Sequence, residues 1–187
     1  AGQIFSGTGF GIKENHRVLG ITKAYTTRVG SGPFATELEN EIGKHFVEKG
    51  QEFGTVTKRK RRCGWFDSVL VGQSIAINGI TDVVLTKLDV LDELEEIKVC
   101  VGYEADQKKY NYLPFNEHIH EKLVPIYETI PGWQTSTFGM TNWHDLPKKA
   151  QDYIDFLESK IEKNISIIST GPDRAHTIDR NNLLGNS

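Results

Sequence analysis

The sequence predicts a mixed α/β protein with an antiparallel hairpin set into it. Two observations lead. Short β-branched runs, Val83-Val84-Leu85-Thr86 and Ile165 to Ile168, read as buried strands. Between and around them lie stretches of helical periodicity, clearest where Ala150, Tyr153, Ile154, Leu157 and Ile161 form one apolar stripe. A third observation supplies the hairpin: Ile97 to Tyr103 is a strand candidate, and Lys109 to Phe115 follows as its returning arm.

The 187 residues, 37% apolar and 25% charged, fit one large domain or a piece of something bigger. A chain of this size buries roughly two thirds of its unfolded surface, enough for a sizeable core. A net charge of −3 gives no general attraction to nucleic acid or to a membrane. The two cysteines, Cys63 and Cys100, have no metal-like spacing and suit a reducing, cytoplasmic setting. No apolar run approaches the roughly 20 residues that span a bilayer. The start, Ala1-Gly2-Gln3-Ile4, has no initiating Met and no signal-like pattern, and reads as an internal cut.

Along the chain, the first thirty-odd residues are glycine-rich and read as loops around a short ordered segment near Val18 to Tyr25. Thr36 and Glu39 make a capping box for a helix carrying Leu38, Ile42 and Phe46, with Gly50 as its stop. A basic loop, Lys58 to Arg62, precedes a helix expected from Trp65 to Asn78. Asn116 to Leu146 reads as long and irregular, broken by Pro125, Pro131, Gly132 and Gly139. Pro147 opens the next helix, where its missing N–H costs nothing. Thr170-Gly171-Pro172 ends the last expected strand, and a polar tail runs from Asn181 to Ser187.

Three elements carry candidate chemistry. Thr86-Lys87-Leu88-Asp89 closes a buried strand, where α/β sheets expose ligand-binding loops. One aspartate carboxylate can accept both N1–H and the 2-amino group of guanine, and a lysine stem can lie across the base. Ser169-Thr170-Gly171-Pro172 closes another strand, and its small residues free backbone N–H groups for a carbonyl such as guanine O6. Read alone, the first is better taken as a solvated loop after a strand and the second as a plain β-turn; their repetition at two strand ends is what favours guanine. The third element runs from Gly54 to Trp65, with hydroxyls at Thr55 and Thr57 before five consecutive cations. Hydroxyl donors beside an arginine fork suit a carboxylate or phosphate. A solvated face or a nucleic-acid patch are the alternatives, and the acidic overall balance weighs against nucleic acid. His118 and His120 lack a third ligand for a metal. Asp92, Glu93, Glu95 and Glu96 read as a solvated acidic turn, and Trp65, Trp133 and Trp143 as packing residues.

Taken in order, the segments Tyr25 to Phe34, Arg61-Arg62-Cys63-Gly64-Trp65, Leu85 to Asp92, Pro125 to Thr129 with Pro131-Gly132-Trp133, and Ser169 to Arg174 resemble the adenylosuccinate synthetase family. The resemblance implies the C-terminal part of a larger P-loop-type mixed α/β domain with a β-hairpin insertion. Residues 1–187 would form one segment of a single domain. It implies a GTP-dependent ligase joining L-aspartate to IMP in purine biosynthesis, with Mg²⁺, as a cytoplasmic homodimer. Carried over by motif, Thr55, Val56, Thr57, Lys58, Arg59, Lys60 and Arg61 would form the loop that closes over aspartate. Val29, Gly30 and Arg59 would contact IMP. Arg61, Lys87, Leu88, Asp89, Ser169, Thr170 and Gly171 would contact GTP. The family's phosphate loop, catalytic acid and base, and metal ligands find no matching motif here, so no catalytic or metal residue is assigned. The alternative is a non-catalytic guanine-nucleotide-binding module. One departure bears on loop closure: where the family reads threonine-threonine-glycine before its first arginine, this chain has Val56, Thr57 and Lys58.

Overall fold

The computed structural model describes residues 2–11 and 16–185, and only the backbone of Glu117. Ala1 and the tail's last residues, Asn186 and Ser187, lie outside it. The glycine-rich start contains a helix that the sequence reading missed, α1 (Gln3–Thr8), ended by Gly9 at φ +70 with its N–H on Phe5 O. Then follow β1 (Leu19–Lys23), in the segment expected to be ordered, and β2 (Thr26–Arg28), just past it.

Helix α2 (Glu41–Lys49) ends at Gly50 as expected but is not capped by Thr36. Asn40 does this, its Oδ1 accepting from the N–H groups of Ile42 and Gly43, both at 3.1 Å. Thr36 and Glu37 are taken by tertiary pairing instead: Thr36 O accepts Trp65 N–H at 3.1 Å, and Glu37 bridges Gly64. After β3 (Arg62–Gly64) and β4 (Phe66–Asp67), α3 (Ser68–Asn78) starts three residues later than Trp65. Asp67 caps it through Leu70 N–H at 3.0 Å.

β5 (Asp82–Thr86), a 3₁₀ turn at Leu88–Leu91 and the long β6 (Glu96–Ala105) come next. The hairpin arm β7 (Lys108–Tyr110) is shorter than expected, and the turn residues Asp106 and Gln107 both have positive φ. That geometry matches the right-handed strand twist. The stretch expected to be irregular holds a one-turn helix, α4 (Glu117–His120), and an eight-residue strand, β8 (Val124–Pro131), antiparallel to β6. Its prolines are tolerated because β8 pairs with β6 alone and so lies at a sheet edge. A 3₁₀ turn at Trp143–Asp145, then α5 (Lys148–Ile161), β9 (Ile165–Ser169) and β10 (Thr177–Asp179) complete the order. β10 is a further strand beyond the last one expected.

The main sheet has the order β1-β5-β9-β10, parallel except for β10. A second sheet joins β4, β6 and β7, with β8 on the other side of β6. The expected stripe of α5 is buried in full, each large residue contributing about 1.5–3 kcal/mol of apolar burial. β2 and β3 form a separate two-stranded sheet, and one apolar cluster draws on the two larger sheets, α2 and α5. Tyr153 puts its hydroxyl on Ala24 O at 2.8 Å, which ties α5 to the end of β1. This packing brings the carboxyl ends of the adjacent parallel strands β5 and β9 side by side, the position at which such sheets open a ligand crevice.

Candidate functional site

A cleft of about 610 Å³ opens at these strand ends. From β5, Lys87 turns the chain in the left-handed region at φ +62, and its Nζ donates to Gly50 O at 2.6 Å. The 3₁₀ turn then aims Asp89 into the cleft, while Leu88 is buried beneath it. Among the described residues, no other residue donates a hydrogen bond to the Asp89 carboxylate. Burial, aided by the nearby Asp92 charge, raises its pKa above the ordinary aspartate value, against the pull of Lys87 and Lys49. This is a half-buried acceptor with lone pairs to spare.

From β9, Ser169 and Gly171 line the same cleft. Thr170 does not: it is buried, its Oγ1 on Met140 O at 2.7 Å and its N–H on His176 O at 3.0 Å. The two loops thus bring together Lys87, Asp89, Ser169 and Gly171, and leave Leu88 and Thr170 as their anchors. Gly171 is required by space, since a Cβ there would lie 2.5 Å from His176 Nδ1 and 3.2 Å from Phe138 Cε2. Gly171→Ala is expected to destabilise the fold by about 1–3 kcal/mol through overpacking, read as a lowered Tm. An unchanged Tm would show that His176 yields freely.

The basic run is divided by the fold. Residues 55–60 stand in solvent, Val56 at 91% exposure, on a loop closed by Gly54 N–H to Arg59 O at 2.8 Å and Lys58 N–H to Gly54 O at 2.9 Å. Lys58 sits at φ +53, the region glycine enters at least cost, so it carries about 1–2 kcal/mol of backbone strain. Arg59 makes no side-chain hydrogen bond or ion pair among the described residues. Arg62 pairs with Glu37 and donates to Gly32 O at 2.8 Å and Gly30 O at 3.2 Å, bracing the loop that carries exposed Val29 and Gly30 at φ +87.

Arg61 turns inward. Its Nη1 lies 2.9 Å from Glu52, which is 1% exposed and also receives Lys23 Nζ at 2.7 Å and the Tyr25 hydroxyl at 2.7 Å. Glu52 escaped the sequence reading because nothing local marks it; its partners come from β1, the turn after it and the root of the basic loop. Burial alone would raise its pKa, but the bonds from Lys23, Tyr25 and Arg61 prevail and hold it below the ordinary value.

Asp92 corrects the expectation of a solvated acidic turn. It is buried and accepts Trp133 Nε1–H, Thr137 N–H and the Thr137 hydroxyl, each at 2.7 Å. Trp65 and Trp133 are buried as expected, and Trp143 stacks under Arg180 at 4.0 Å. Cys63 and Cys100 are free buried thiols, pushed up to about 11 and about 12, mainly by desolvation. Among the described residues, no three His, Cys, Asp or Glu side chains converge as a metal site would need.

These features define a mixed α/β protein with a ligand cleft outside the carboxyl ends of its parallel strands. The chain belongs to the adenylosuccinate synthetase family, whose model matches residues 1–178. It is 54% identical over 180 residues to the adenylosuccinate synthetase of Coxiella burnetii (strain Dugway 5J108-111), covering 96% of this chain and 41% of that one. The Ehrlichia canis (strain Jake) relative is 52% identical over 182 residues, 97% of this chain and 42% of its own. A solved, fully ligated adenylosuccinate synthetase from Plasmodium falciparum superposes with a TM-score of 0.90 at 40% identity, over 96% of this chain and 43% of that one. The chain therefore spans about 41% of the length of the curated relatives it matches.

Proposed function

We propose that this chain supplies the base-reading cleft and the aspartate loop of a GTP-dependent ligase that joins L-aspartate to IMP, giving adenylosuccinate, GDP and phosphate. One observation carries the reading: Lys87 and Asp89 from β5 meet Ser169 and Gly171 from β9 around a single cleft. Asp89 accepts guanine N1–H and the 2-amino group. The Lys87 stem covers the base, and Ser169 and Gly171 serve the O6 side. The unpaired Asp89 carboxylate suits a ligand that brings two donors.

In the reaction, the γ-phosphoryl group passes from GTP to IMP O6. The aspartate amine then attacks C6, forming the C–N bond as the C6–O bond breaks and phosphate departs. Thr55, Thr57 and Arg59 grip the aspartate carboxylates on a solvent-facing loop, and Arg59 also reaches IMP beside Val29 and Gly30. Arg61 joins them by exchanging Glu52 for ligand, so closure of the loop includes breaking that pair. Magnesium, expected from the family, would neutralise phosphate charge. The described residues do not form a cluster that fits it, and no step here runs through it. The same reading places residues 1–187 as one segment of a single domain in a cytoplasmic homodimer. Among the described residues, no helix is long and apolar enough to cross a membrane.

The test is complementation. The chain is mixed with the part of a family member that it does not cover, and phosphate release is followed with GTP, IMP and aspartate. Activity requiring all three substrates and both parts is the expected result. A soluble complex that binds GDP but stays inactive would favour a non-catalytic guanine-nucleotide module.

A further inference from the structure

The segment from Trp133 to Met140 reads as structureless in the sequence, yet the fold ties it to both base-reading loops. At one end Asp92, three residues beyond Asp89, holds Trp133 and Thr137 through three hydrogen bonds of 2.7 Å. At the other, Gly139 N–H reaches Thr170 O at 3.2 Å, and Thr170 Oγ1 reaches Met140 O at 2.7 Å. The segment is a strap joining the loop after β5 to the loop after β9. Gly139, at φ +76, sets its final bend.

Between these anchors stands Phe138. Its ring lines the cleft and remains 57% exposed, although Thr137 beside it is wholly buried. A scattered exposed phenylalanine signals nothing. This one is held: its ring meets that of His176 edge-on, with centroids 5.0 Å apart at 66°. His176 in turn backs Gly171, at the position where a Cβ would collide with it. An aromatic ring fixed at the wall of a base-sized cleft has unspent π-surface, and every nucleobase offers a matching face.

We infer that Phe138 is a base-binding residue, an aromatic wall against which the purine of the bound nucleotide packs, with the strap setting its distance from Asp89. The inference rests on the base-reading role of the cleft and adds to it a contact that neither loop motif supplies.

The test is GDP titration, by calorimetry, of the chain assembled with the part of a family member that it does not cover, with Asp89→Asn as reference. Phe138→Ala is expected to weaken GDP about fivefold to a hundredfold, the range of one base–aromatic stack. Phe138→Tyr should bind as the parent does, and the indole emission of Phe138→Trp should be quenched by GDP. Phe138→Leu keeps apolar bulk without a ring and should show the same loss, which covers the case in which the alanine variant is unstable. Full GDP affinity in the alanine or leucine variant, with Asp89→Asn inactive in binding, overturns the Phe138 assignment and leaves the cleft reading standing. If the parent assembly binds no GDP, or Asp89→Asn binds as well as the parent, the cleft reading fails and the Phe138 assignment falls with it.

Discussion

Asp89→Asn is expected to lower GDP affinity by about a hundredfold to a thousandfold while leaving the fold intact. A carboxylate can accept from both guanine donors. An asparagine amide keeps one acceptor and turns its NH₂ toward the other donor, so one hydrogen bond is lost and a buried donor is left facing a donor. A charged hydrogen bond together with an unsatisfied buried group is worth about 3–4 kcal/mol. Stability should move the other way. Burial raises the Asp89 pKa in the folded chain, so its charge disfavours folding at neutral pH, and the neutral amide should hold or increase Tm. The same shift predicts that GDP binding weakens on acidification from a pH above that of an ordinary aspartate, as the acceptor takes up a proton. Calorimetric titration with a parallel melting curve checks this. Binding within threefold of the parent would remove Asp89 from the site.

The largest loss of stability is expected at Glu52. This carboxylate lies at 1% exposure and holds Lys23, Tyr25 and Arg61 together. Removing one member of a buried charge network leaves the others desolvated and uncompensated, which typically costs about 3–5 kcal/mol. At about 2–4 °C per kcal/mol for a chain of this length, Glu52→Ala should melt about 10 °C lower. The pH dependence has a definite sign. The folded carboxyl sits below its ordinary value of 4.5, so its contribution is present above that pH and lost as the pH falls through the folded pKa. The stability gap between parent and Glu52→Gln should therefore close below pH 4.5. A gap that stays constant with pH would mean that Glu52 acts by packing alone.

Some of this architecture was legible because its causes are local. The stripe of α5 repeats within one helix, and the runs forming β5 and β9 are short apolar segments bounded by turn residues. Lys87, Asp89, Ser169 and Gly171 could be named for the same reason, since a motif at the end of a buried strand has a set place in an α/β sheet. Other features depend on partners distant in sequence. Thr36 looked like a cap until Trp65 claimed its carbonyl. Pro125 and Pro131 looked like breakers until an edge position removed the demand for their missing N–H groups. Asp92 looked solvated because its neighbours Glu93, Glu95 and Glu96 are exposed, whereas its ligands Trp133 and Thr137 lie 41 and 45 residues away.

By itself, the sequence determined the α/β class, the helical stripe, the family and the two strand-end motifs, because hydrophobic period and motif spacing are written in consecutive residues. Only the tertiary structure decided that those motifs share one cleft, that Glu52 divides the basic run by drawing Arg61 inward, and that a strap carries Phe138 to the wall. Each of these is a juxtaposition of segments that chain order keeps apart, made by burial of the core between them.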